Sequence, residues 1–303
     1  MRKKTVTIGI PAYNEEANIK KLVGSLLEQK QTNYILKKII VISDASEDST
    51  DKKVKSVKNN KVELLRNKER IGQALTQNVI LENFNSDILV LLNADVLPKD
   101  KNLIDNIVIS FEEDEKIGLV GGKVSPLPYD SYVEKVLYFS TKMKDELYES
   151  LSDSNIYLCH GRVRAFSKEF ANIFRWKETY GEDAYSYLSC LSHGFKFYYN
   201  KNAEVVYRLP NNLKGHFKQS VRFINSKERM GSYFGSKLIE KIYQVPFSLE
   251  IWFFGKFFLN HPLLASSYLM IFIFSNLLSK FQPSSSSTWD ISYSSKKLLK
   301  EGR

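Results

Sequence analysis

Thr5-Val6-Thr7-Ile8-Gly9-Ile10-Pro11-Ala12-Tyr13-Asn14-Glu15 decides the fold class: β-branched residues alternate along a strand and stop at a proline, after which the chain turns polar. A helix is expected next, because Ile19, Leu22, Val23, Leu26 and Leu27 recur at the spacing of one helical face and Glu15 and Glu16 suit its first turn. Residues 39–42 are an unbroken apolar run, the mark of a strand covered on both faces. Residues 62–65 repeat the strand pattern, 74–84 give a second helical face through Leu75, Val79, Ile80 and Phe84, and 88–92 form a fourth buried strand. This rhythm predicts an α/β fold, a mostly parallel sheet with helices on both faces, whose ligands gather beyond the carboxyl ends of the strands.

The polar loops fall at those ends. Asp44, just after the second strand, can accept hydrogen bonds from a base edge or a ribose; equally, the Asp, Ser and Thr residues of 43–50 can serve turns and a helix cap. In Asn93-Ala94-Asp95, residues 93 and 95 project to one side of an extended chain. Asp95 alone would suffice for a Mg or Mn ion completed by phosphates and water, or it is an ordinary loop aspartate before Pro98.

Further on, 117–122 reads as a fifth strand, 133–148 as a helix and 168–174 as a short helix, with His160-Gly161-Arg162-Val163-Arg164-Ala165 between them. Tyr180-Gly181-Glu182-Asp183-Ala184 follows, an acidic pair closing a loop ahead of an apolar-rich run. Residues 195–199 and 203–207 read as two short strands. Gln219, Arg222 and Phe223 then share one face if 219–223 is helical, offering either an amide, a guanidinium and a ring to a sugar diphosphate or a basic surface helix with Lys218, Lys227 and Arg229.

With 303 residues the chain can bury a large core, and its net charge of +10 favours polyanionic neighbours. No zinc finger or aromatic-interleaved RNA motif accompanies that charge, so nucleic acid is not the expected partner. Two cysteines outside any CxxC and four scattered histidines exclude a disulfide framework and point away from zinc. The apolar run after Met1-Arg2-Lys3-Lys4 is too short for a signal peptide. Residues 245–281 are a different material, rich in Phe, Leu and Ile. Within them 245–259 suits an amphipathic interfacial helix with Trp252 as an anchor. The run 263–278 falls just short of the roughly 20 residues of a spanning helix. Lys296, Lys297, Lys300 and Arg303 place both flanks on the cytoplasmic side, so a hairpin turning at Asn260-His261-Pro262 or a shallow interfacial pair is expected. Residues 282–303 read as a flexible basic tail.

Taken in order, these segments resemble family 2 glycosyltransferases of the GT-A type, a Rossmann-like α/β fold, over roughly residues 5 to 235. Pro11-Ala12-Tyr13-Asn14-Glu15 is similar to the family's P-x-Y-N-E, and 44–50 to its D-x-S-x-D-x-T loop. Arg70-Ile71-Gly72-Gln73-Ala74 with Asn78 resembles its basic G-K-A…N segment, with Gln73 where lysine is common. Asn93-Ala94-Asp95 resembles D-x-D with the first aspartate replaced, Glu182-Asp183 the E-D motif, and 219–223 Q-x-x-R-W with Phe for Trp.

The resemblance implies an inverting glycosyltransferase. Asp183 would be the catalytic base; Pro11, Tyr13, Glu15, Asp44, Arg70, Gly72, Asn93, Gln219 and Arg222 would bind the nucleotide-sugar donor, expected to be a UDP-sugar; and Asp95 would hold Mg or Mn. With the apolar segments read above, the expected division is a catalytic domain (1–235), membrane-associated helices (236–281) and a tail (282–303), with a glycan or lipid-linked acceptor at the cytoplasmic face of the membrane. The alternatives are a donor-binding protein with impaired catalysis, suggested by Gln73 and Asn93, and a processive polysaccharide synthase subunit.

Overall fold

The structure is a computed structural model and describes residues 2–152, 154–179, 181–281 and 298. Eight strands form one sheet: β1 (Lys4–Ala12), β2 (Tyr34–Ser43), β3 (Val62–Arg66), β4 (Ile88–Leu92), β5 (Val96–Pro98), β6 (Ile117–Pro126), β7 (Val163–Ser167) and β8 (Lys196–Tyr207). Their order is β3-β2-β1-β4-β7-β6-β8-β5, so β1 to β4 make a parallel half. β7 runs against both of its neighbours and β5 against β8.

Alternation along the strands explains the two cores. Val6, Ile8 and Ile10 of β1 join Ile39, Val41 and Val90 on one face, while Ile40, Ile42, Leu89 and Leu91 join the other. Helices α1 (Ile19–Leu27) and α4 (Leu103–Ser110) contribute to the first core. The second is covered by α3 (Gln73–Asn83), α6 (Lys168–Ile173) and α7 (Glu182–Ser192). Every residue of β4 is buried, and each such aliphatic side chain contributes about 1.5–3 kcal/mol to folding.

The short α2 (Thr50–Lys55) follows β2. The long α5 (Tyr132–Leu151) begins with a complete capping box, Ser131 and Glu134 each accepting from the other's backbone N–H, which fixes where the helix starts. Helices α8 (Leu213–Phe234), α9 (Ser236–Ile242), α10 (Phe247–Asn260) and α11 (Pro262–Phe281) complete the described chain.

Four expectations need correction. Residues 195–199 and 203–207 are one strand, β8, whose register against β6 jumps from Gly122↔Asn200 to Lys123↔Glu204. The polar residues between them form a bulge, with Asn202 N–H donating to Asn200 Oδ1, instead of a break. Residues 96–98, read as loop, pair antiparallel with β8. The acidic pair does not close a loop, because it occupies the first turn of α7. Finally, the last apolar segment is not short of a span: α11 has 20 residues and is long and apolar enough to cross a membrane by length and composition.

The turn between α10 and α11 falls at His261, as expected. The helix pair packs on α5 and α8, burying Phe257, Leu264, Ala265, Tyr268 and Ile271 with Val136. Of the basic tail, only Leu298 lies within the described residues. It is buried in the first core, its N–H donates to Asn18 Oδ1 and its carbonyl accepts from Arg208.

Candidate active site

The carboxyl ends of β1 and β2 carry two loops that are bonded to each other. Asn14 N–H donates to Ser46 Oγ, Glu47 N–H to Asn14 Oδ1, Glu15 N–H to Thr50 Oγ1 and Glu16 N–H to Asp48 Oδ2. Asn14 (φ 52°) and Ala45 (φ 57°) are held in the left-handed region, a conformation costly for alanine that the surrounding bonds over-determine. Glu15 is buried and accepts from Asn18 Nδ2 at 3.1 Å. Pro11 is still within β1, opposite Ile42.

Asp44 is buried beneath a third loop. Its carboxylate accepts from Ile71 N–H and Asn67 Nδ2 on one oxygen and from Gly72 N–H on the other, all at 2.8–2.9 Å. It therefore shapes the segment that leads into α3 and sets Arg70, whose guanidinium lies 3.9 Å from the centroid of the Tyr13 ring. One turn on, Gln73 Nε2 donates to Asn93 Oδ1 at 2.8 Å. Two of the three positions that depart from the resembled motifs, Gln73 and Asn93, are thus each other's partner.

Asp95 follows β4. Its Oδ1 is buried and has no hydrogen-bond partner, an orphaned carboxylate oxygen that a cation would satisfy. Among the described residues no group of three or more His, Cys, Asp or Glu could hold a metal. The orphaned Asp95 oxygen by itself fits a hard divalent ion that takes one protein carboxylate and completes its shell with phosphate oxygens and water.

Facing this loop is the acidic pair. Gly181, with φ 130°, turns the chain into α7, and a side chain there would meet Ser226 of α8 at 3.0 Å. The first turn of α7 is then fixed from below: the Glu182 carbonyl accepts from Arg164 Nη1 and from Trp176 Nε1, both at 2.8 Å, while the Asp183 carbonyl accepts from Ser186 Oγ. Arg164 is fully buried in β7 and also donates to Ser186 Oγ and Gln77 Oε1. The loop before β7 closes over the pair at Gly161, where a Cβ would stand 3.0 Å from Glu182 Oε1.

Burial, reinforced by Asp183, raises the Glu182 carboxyl above its usual range. Burial pushes His160 down to about 4 against the opposing pull of Asp183, so its imidazole is neutral near pH 7. Arg222 of α8 is drawn below the ordinary guanidinium range by burial, opposed by Glu182, Asp183 and Asp95, so all three carboxylates are within electrostatic reach of it.

Asp95, Glu182 and Asp183 thus share the electrostatic surroundings of Arg222, and the Gln73–Asn93 pair stands two residues before Asp95. Gln219 is half-buried one turn earlier on α8, and Phe223 is 57% exposed, so the ring does not join the amide and the guanidinium. Tyr180 lies outside the described residues. Sequence reasoning missed Arg164, Trp176, Gly161 and His160 as parts of the site. The available signal was Arg164 two residues from Arg162 and set among Val163, Ala165 and Phe166, since a charge buried in a sheet needs specific partners.

A family profile described as Glycosyl transferase family 2 matches residues 7–174. No curated protein sequence matches the chain. Among solved structures, the fold is similar to a mannosyltransferase from Pyrobaculum calidifontis in complex with GDP-Man and Mn2+, with TM-score 0.61 and 18% identity over 95% of this chain and 78% of that one. It is also similar to glucosyl-3-phosphoglycerate synthase from Mycobacterium tuberculosis in complex with Mn2+, UDP and glucosyl-3-phosphoglycerate, with TM-score 0.56 and 17% identity over 77% of this chain and 80% of that one.

Proposed function

We propose, from the premise that the chain belongs to glycosyl transferase family 2, that it moves a sugar with inversion from a nucleoside diphosphate donor to a hydroxyl of a lipid-linked or cell-surface glycan. The observation that supports this reading best is that Asp183 and Asp95, whose Oδ1 is orphaned, both act on the buried guanidinium of Arg222. Asp183 takes the proton of the acceptor hydroxyl, whose oxygen forms a bond to the anomeric carbon as the bond from that carbon to the diphosphate oxygen breaks. The nucleoside diphosphate leaves with the electron pair on the opposite face.

Arg222, with Gln219 beside it, meets the charge that develops on the departing diphosphate. Asp95 would hold Mg or Mn, which supplies further neutralisation of that charge when bound. The loops carrying Pro11, Tyr13, Glu15, Asp44, Arg70, Gly72 and Asn93 form the donor pocket. Asp44 acts there through the backbone it organises, and UDP is the proposed nucleotide. The pairing of Gln73 with Asn93 favours a working donor site over a binding protein that has lost catalysis, because the two departures leave no unmatched charge. Helices α10 and α11 seat the enzyme at the cytoplasmic face of the membrane.

The test is transfer from a panel of nucleotide sugars with Mn or Mg by membrane fractions. Asp183→Asn is expected to lower kcat by about 10²–10⁴-fold while donor binding persists. Equal transfer by the two proteins would overturn the assignment of the base.

A further inference from the structure

Asn18 stands at the N-terminal boundary of α1, where an asparagine side chain ordinarily accepts from its own helix, yet it makes no such capping bond. Its amide is used between two other parts of the chain. Oδ1 accepts the N–H of Leu298, 280 residues downstream, at 3.2 Å, and Nδ2 donates to Glu15 Oε2 at 3.1 Å. An asparagine amide has one accepting end and one donating end. A main-chain N–H can face only the accepting end, so Leu298 turns the donating end toward the Glu15 carboxylate.

Leu298 is itself held at its side chain and its carbonyl. The side chain is 2% exposed, within the core cluster that includes Ala12 and Ile19. The carbonyl accepts from Arg208 Nε and Nη2, both at 3.3 Å, and Arg208 is fixed in turn by Asp130 at 3.0 Å and Glu134 at 3.4 Å. At the other end of the relay, the Glu15 N–H donates to Thr50 Oγ1 and its carbonyl accepts from the N–H groups of Asn18 and Ile19. The Glu15 backbone is therefore fixed independently of the amide, and the amide acts on the side chain. A carboxylate binds a nucleotide by accepting from ribose hydroxyls or a base N–H, and one turned the wrong way repels the diphosphate, so its direction matters.

We infer that Leu298 is a positioning residue for the loop at the carboxyl end of β1: acting through Asn18, its peptide N–H orients the Glu15 carboxylate and thereby strengthens binding of the nucleotide part of the donor. The link to the nucleotide rests on the proposed donor site, whereas the orientation of Glu15 does not.

The experiment uses the full chain, with UDP and GDP in the presence of Mn as probes in titration calorimetry. Hydrogen exchange at the bonded amides of residues 14–16 supplies a readout that needs no ligand. Leu298→Pro removes the donating N–H and keeps the carbonyl. It should raise the Kd of the nucleotide that wild type binds by about two- to tenfold, the weight of one neutral hydrogen bond, and speed exchange at 14–16. Leu298→Ala keeps both main-chain bonds, so it should lower the melting temperature and leave that Kd unchanged. Arg208→Gln, which loosens the carbonyl clamp and leaves Leu298 intact, should reproduce the effect of the proline in smaller measure. In transfer, the change should appear in the donor KM and not in kcat.

The decisive comparison is made on Asn18→Ala. Without the amide, the Leu298 N–H has no route to Glu15, so neither Leu298→Pro nor Arg208→Gln should add to the Kd or to the exchange, whereas general damage to the fold would add in full. Effects that simply add, or Leu298→Pro and Arg208→Gln proteins that fold and keep wild-type exchange at 14–16, would overturn the positioning role. Wild-type nucleotide affinity despite faster exchange would overturn the link to the donor. Should wild type bind neither nucleotide while the exchange results hold, the donor reading fails and Leu298 still positions Glu15.

Discussion

Gln73 and Asn93 carry a lesson about single residues, since each alone reads as a defect and together they make one 2.8 Å hydrogen bond. Replacing either by its charged counterpart leaves that charge without its partner at the edge of the proposed donor site. Gln73→Lys and Asn93→Asp should each lower thermal stability, and the double variant should recover it, with a coupling energy of about 0.5–3 kcal/mol. Simple additivity in unfolding experiments would show that the two side chains act independently. His160 makes a different claim. Its folded pKa of about 4 lies below the usual 6.5, so the unfolded chain binds the proton first. The stability tied to its neutrality is complete above pH about 6.5 and is lost as pH falls toward about 4. His160→Gln should therefore flatten the pH dependence of the melting temperature in that window, and an unchanged slope would contradict the shift.

Helix α7 shows how much an element depends on groups outside it. Its first turn is tied by Arg164 and Trp176 to the central strand β7 and its flank, so the direction of Asp183 is set from the core. Arg164→Met should cost about 1–3 kcal/mol in denaturant unfolding for each buried acceptor it leaves without a donor, Gln77 Oε1 first among them. Arg164→Lys should fold better yet lower kcat more than it changes the donor KM, because an ammonium cannot reproduce the fork that reaches Glu182, Ser186 and Gln77. Equal effects of both variants on kcat and KM would argue for a loose role. The parallel half of the sheet was legible in the sequence because 39–42 and 88–92 are unbroken apolar runs, and a run buried on both faces has few alternatives. The start of α7 was not, since Glu182 and Asp183 suit a loop as well as a first turn and only the positive φ of Gly181 distinguishes them. Nor was the single strand β8: a bulge of polar residues looks the same as a turn until its partner strand is known. The candidate site was legible as motifs on separate loops, whereas the Arg164 network depends on contacts between residues far apart in sequence.

As a whole, the molecule has one side unlike the rest. Trp252, Phe247, Leu259, Leu263, Met270 and Ile273 are all more than half exposed on α10 and α11, within a chain of net charge +10. Such a surface suits the interface of an anionic bilayer, where apolar burial and charge act together. Flotation with phosphatidylglycerol vesicles should exceed that with phosphatidylcholine and fall as salt is raised; Trp252→Glu combined with Met270→Glu should abolish it. Equal recovery with both lipids, or retention by the double variant, would contradict interfacial docking. Leu298 ties the opposite end of the sequence to the beginning, donating to Asn18, which in turn holds Glu15. On a ribosome that bond has to wait: at about 5–20 residues per second, the partner of Asn18 emerges some tens of seconds after Asn18 itself. The loop at the carboxyl end of β1 is therefore among the first parts of the chain to be made and among the last to acquire all its native contacts, so nascent protein should pass through an interval of nearly complete folding before this corner is sealed.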